Sequence, residues 1–169
     1  MPPFGGLSTS WATKIITWER YMKKKKETLF RLVINEIKKH GYRNITPNIP
    51  YQIAWEKVIN SLYRAIIIIT TERWLGGYDV RLQINEYDER YYEIDKKRII
   101  GINSTIIKIK KIIQLDELAR NKGETYYIDH IVSPCWRIDK EEDIEKVNIE
   151  IIRLLDTYAY DWLESANSQ

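Results

Sequence analysis

Cys135 is the only cysteine, so no disulfide can form within the chain and an oxidising compartment gains no support. Histidine is as scarce, with two residues, His40 and His130. Together with Cys135 they fall short of the four ligands of a structural zinc site, and a satisfied histidine and a buried thiol are the plainer readings. No apolar run approaches the roughly 18 residues that a membrane-spanning helix needs, so no span is expected. The opening Met1-Pro2-Pro3-Phe4-Gly5-Gly6 lacks the charged start and apolar centre of a signal peptide and reads as a short flexible lead-in. Neither a P-loop, a G-x-G-x-x-G pattern nor a G-x-S-x-G elbow occurs, so phosphate-cradling loops and hydrolase elbows find no support. No cofactor and no metal is expected, and no internal repeat is visible. Phenylalanine is nearly missing, with two residues against twelve tyrosines and six tryptophans.

What is present is charge, unevenly placed. The chain of 169 residues carries a net +3. Ten Lys/Arg against three Glu precede Tyr51, a balance of +7, so the remainder sums to −4. Such asymmetry points to a partner. The length suits one domain with an appendage. The 30% charged and 44% hydrophobic residues are ordinary for a globular chain, and the abundance of Ile, Lys and Glu is compatible with a hot environment.

Helical periodicity leads to a mainly α expectation: a long basic N-terminal helical arm plus a small helical bundle. Ser8 or Ser10 can cap a helix near Trp11, with apolar residues recurring at Ile15, Trp18, Met22, Leu29, Val33 and Ile37. From Trp11 to Lys39 that helix would be roughly 44 Å long. Gly41 sits where a C-cap belongs, and Pro47 and Pro50 favour an extended linker. The division is therefore an arm and linker over 1–50 and a core domain over 51–169. Gln52 to Arg73 reads as a second helix, central to the core, with a strand as the rival reading of Ile66–Ile69. Tyr78 to Ile94 leans to a β-hairpin, although Tyr87, Tyr91 and Ile94 also fit a helical face. A third helix is expected from Asn103 or Ser104 to Asn121, a β-rich stretch over Thr125–Trp136, and a last helix from Asp139 through Trp162.

The chemistry follows the charge. Lys14, Arg20, Lys23, Lys24, Lys25, Lys26, Arg31, Lys38, Lys39 and Arg43 are interleaved with Trp11, Trp18 and Tyr21. Cations at that density neutralise phosphates and release counterions without reading sequence. The plainer reading is a solvated face of a Lys-rich helix, but four adjacent lysines point in every direction around it. A second constellation is Asp79, Glu93, Asp95 and Lys97, a weak match to the PD-(D/E)xK nuclease pattern, in which carboxylates hold a divalent metal and lysine assists the attacking water. Here a surface hairpin is the plainer reading. A third, Asp129-His130, is similar to the first strand of an HNH nuclease; Asn148 or Asn167 could supply the asparagine, but no histidine follows.

The layout also resembles the major capsid proteins of filamentous archaeal viruses, of the rudivirus and lipothrixvirus type. The features that carry it are the basic, Trp-containing start, the linker Thr46-Pro47-Asn48-Ile49-Pro50 and the Trp55-Glu56-Lys57-Val58-Ile59 that follows, within roughly Ser8 to Tyr63. The resemblance implies a helical fold and a non-enzymatic coat of double-stranded DNA. It also implies an arm that wraps DNA through the ten cations above, subunits paired with themselves or with a paralogous subunit in a helical filament, and location in the virion and, during assembly, the host cytoplasm. A metal-dependent nuclease using Asp79, Asp95 and Lys97 is the alternative, and a small DNA-binding regulator the third reading.

Overall fold

The four isoleucines at 66–69 decide the architecture, and they decide it against the mainly α expectation. In the computed structural model, which describes residues 30–45, 52–72, 77–86, 108–125, 131–132 and 135–165, they lie in a β-strand. All four are fully buried. A strand covered on both faces reads as a continuous apolar run, and β-branched side chains suit the pleated backbone.

The expected helix over Gln52–Arg73 is instead two strands, β2 (Gln52–Val58) and β3 (Tyr63–Glu72), joined by a tight turn. Asn60 makes the turn: its Oδ1 accepts the N–H groups of Leu62 at 2.8 Å and Tyr63 at 2.9 Å. β4 (Gly77–Glu86) continues the antiparallel meander, so Tyr78 does open a strand; the return strand expected up to Ile94 lies outside the described residues. Residues 108–114, expected as helix, form β5 (Lys108–Gln114) on the other edge of β4, with a register shift between Ile84 and Asn85. Within the described part of that expected helix, only the end is helical, as α2 (Leu115–Asn121); residues 103–107 lie outside the described residues.

β1 (Arg43–Asn44) borders β2, while β6 (Ile131–Val132) and β7 (Cys135–Arg137) extend the sheet beside Gly77 and Tyr78. The described residues thus form a seven-stranded antiparallel sheet. The helices among the described residues are α1 (Arg31–Lys39), α2, α3 (Glu141–Leu154) and α4 (Tyr160–Glu164), with a π-helical turn at Leu155–Ala159 between the last two. The last helix was legible. Its start is fixed by Asp143, whose Oδ2 accepts the N–H groups of Asp139 and Lys140. None of the described helices is long and apolar enough to cross a membrane.

Trp55, Ile67 and Leu82 stand in one cross-strand row on the face that the helices cover. Phe30, Val33 and Ile37 enter the same core, and the Phe30 ring meets Tyr78 edge-on at 4.5 Å. So α1 packs into the domain rather than standing apart from it. The opposite face is mixed. Ala54, Ile66 and Ile68 pack with Ile45, and around them lie Glu56, Arg64, Asp79, Arg81, Gln83 and Asn85.

After α1 the chain reverses through Gly41, whose φ of +86° suits glycine alone. A Cβ there would sit 3.7 Å from the Lys57 side chain, an ordinary contact. Gly41→Ala should therefore cost only its backbone strain, about 1 kcal/mol in urea unfolding.

Candidate nucleic-acid interface

Of the ten cations singled out in the sequence, Lys14, Arg20 and Lys23 to Lys26 lie outside the described residues. The other four fall on α1 and β1. Val33 and Ile37 turn one side of α1 into the core, which leaves Arg31 and Lys38 exposed. Seven residues apart, they share a face of the helix, about 10 Å from each other along its axis. Neither forms an ion pair or side-chain hydrogen bond among the described residues.

Lys39 and Arg43 differ. Lys39 Nζ is 2.7 Å from Glu36 Oε1 on the preceding turn. Arg43 donates through Nε and Nη2 to Glu56 Oε2 at 3.2 and 3.1 Å. Glu56 is 1% exposed and also faces Arg64, whose Nη1 is 3.5 Å from Oε1. At the C-terminal end of α1 His40 stacks on Tyr160, with ring centroids 3.7 Å apart, and its Nε2 lies 3.3 Å from Asp156. Burial first, then nearby Asp156 and Glu36, push the Tyr160 hydroxyl above its ordinary range. Burial, then Tyr160 and Glu164, do the same to Tyr42. Both phenols therefore stay neutral and serve packing rather than proton transfer.

The helical segment 141–164 carries eight carboxylates and two cations, so it is acidic where the chain's start is basic. One local network there is tied to acidity. The Glu124 carboxylate accepts from Arg153 Nη1 at 2.9 Å and from the Tyr158 hydroxyl at 2.8 Å. These bonds hold it below the usual glutamate range. A depressed folded pKa contributes stability above the unfolded value and loses it as pH falls through the folded one. Glu124→Gln should therefore lower stability near neutrality and flatten the decline on acidification, as read from urea midpoints across the acid range.

The nuclease constellation is not assembled among the described residues. Asp79 sits on β4 opposite Thr70 and near Arg81; burial draws that guanidinium below its ordinary range while Asp79 opposes the shift. Glu93, Asp95 and Lys97 lie outside the described residues, as do His130 and Asn167. Asn148 is buried on α3 and accepts a hydrogen bond from Tyr78 at 3.3 Å. Among the described residues no group of three or more His, Cys, Asp or Glu side chains could hold a metal ion. Comparison with family models, curated proteins and solved structures gives no match to this chain.

Sequence reasoning missed Glu56 and, apart from Asp79, the polar stripe beside it. Gln83 is fully buried and donates through Nε2 to Asn85 Oδ1 at 2.7 Å. The signal was present as alternation: Asp79, Arg81, Gln83 and Asn85 occupy every second position, interleaved with Val80, Leu82 and Ile84.

Proposed function

We propose that this chain coats nucleic acid without reading its sequence, through phosphate contacts made by its basic N-terminal residues. The observation that carries the reading is the pair Arg31 and Lys38: exposed on one face of α1, free of carboxylate partners among the described residues, and C-terminal to Lys23–Lys26 in sequence. Cations already committed to carboxylates of their own chain would have to exchange partners on binding. Uncommitted ones release counterions from the duplex instead.

The filament-coat setting implied by the resemblance belongs to the same proposal. There, copies of this subunit, alone or with a paralogous one, pack along double-stranded DNA, with the acidic helices α3 and α4 turned from the phosphates. The sheet-containing body departs from the helical bundle that the resemblance implies, so the proposal rests on charge and exposure rather than on fold. The test is binding of the full chain to two long duplexes of unrelated sequence, followed by negative-stain microscopy. Equal affinities that weaken with salt, and uniform filaments, are expected. Protection of one discrete sequence, or no association with either duplex, would remove the reading.

A further inference from the structure

Among the described residues the outer edge of β5 is unpaired. One edge of this strand pairs with β4 from Arg81 to Glu86; no described strand pairs with the other. A bare edge presents a row of backbone donors and acceptors and is a template for another extended chain. Its side chains differ on the two faces of the sheet. On one, Ile112 lies across from Gln83 and Ile109 from Asn85, and Ile112 is 48% exposed. On the other, Lys111 lies across from Ile84. The register shift places Lys110 beside it without a partner of its own on β4, and its Nζ reaches the Tyr63 hydroxyl at 2.8 Å.

From this edge we propose that β5 is a docking strand for an extended, acidic polypeptide segment that alternates carboxylate and apolar residues. Backbone pairing would supply the bulk of the contact. The apolar residues of such a segment fall beside Ile109 and Ile112, and a carboxylate beside Lys111, while Lys110 reaches inward to Tyr63. Charge complementarity selects this occupant over a second copy. In the registers centred on Lys110 or Lys111, two β5 strands paired with each other would bring the lysines of one beside those of the other, a like-charge arrangement that destabilises sheets. Phosphates would satisfy the lysines but leave the backbone edge and Ile112 unused, which disfavours nucleic acid here. The inference is independent of the nucleic-acid reading, because it uses none of the residues on α1.

The test is amide hydrogen exchange on the full chain with an alternating Glu–Val peptide, using an alternating Lys–Val peptide of equal length as control. Slowed exchange over residues 109–113 with the Glu–Val peptide alone is expected. Lys111→Glu should weaken that peptide by about tenfold. Thermal melting of this variant should stay near that of the parent, and if it does not, the protection pattern of the parent chain decides. Equal protection by both peptides, protection confined to other strands, slowing by a short DNA duplex in place of the peptide, or dimerisation through β5 without peptide would each overturn the proposal.

Discussion

Replacing Lys23, Lys24, Lys25 and Lys26 together with alanine should flatten the salt dependence of duplex binding more than any other change in this chain. Each phosphate contact contributes about −0.9 to the slope of log affinity against log salt. Loss of four contacts would reduce the steepness by up to about 3.6, so the affinity lost between about 50 and 200 mM salt shrinks by roughly two orders of magnitude. A graded set of variants sharpens the result. Arg31→Ala with Lys38→Ala should remove about 1.8 from the slope, because both side chains are exposed and without a carboxylate partner among the described residues. Lys39→Ala and Arg43→Ala should each change it far less, since Glu36 and Glu56 already hold those cations. Fluorescence anisotropy over a salt series measures all of these slopes. An unchanged slope in the fourfold variant would take Lys23–Lys26 out of the interface. A fall as large for Arg43→Ala as for the Arg31/Lys38 pair would mean that the carboxylate pairs open on binding.

The pattern of these ion pairs was not legible in the sequence, although the excess of charge was. Ten cations before Tyr51 can be counted, but which of them are spent inside the chain depends on register. Arg43 is neutralised by Glu56 because β1 and β2 place the two directly across from each other. The fold was legible where one period dominates. From Ile144 to Trp162 the helical spacing is clean, and the observed helices with their π-helical turn follow it. It was misread where two periods coexist. In Gln52–Arg73, Ile53, Val58, Leu62, Ile66 and Ile69 satisfy a helical spacing, yet Ile53, Trp55, Ala65, Ile67 and Ile69 share one face of the sheet. Asn60-Ser61 inside that stretch was the local signal for a break, and the β-branched run after it argued for a strand. In Lys108–Gln114 the bulge interrupts alternation, so the strand lost its own signature while Ile109 and Ile113 fit a helical spacing.

The second large effect is expected at Glu56. Its carboxylate is 1% exposed and lies between Arg43, whose side chain is 57% exposed, and Arg64, whose side chain is 14% exposed. Glu56→Ala removes the charge that compensates Arg64 in a nearly closed position, and breaking a buried pair from one side costs about 3 kcal/mol. Arg43 contributes little to that loss because water can solvate it once released. Arg64→Met tests the asymmetry. It leaves Glu56 with Arg43 and removes the enclosed cation, so it should cost less than Glu56→Ala, and the double variant should cost less than the sum of the two. Denaturant unfolding of the three variants measures this coupling. The same series bears on binding, because Glu56→Ala removes a carboxylate partner of Arg43 at the sheet edge. If that guanidinium then reaches a phosphate, the variant loses stability while its duplex binding grows steeper in salt by about 0.9. Stability and affinity would then move in opposite directions, an outcome that general unfolding of the variant could not produce.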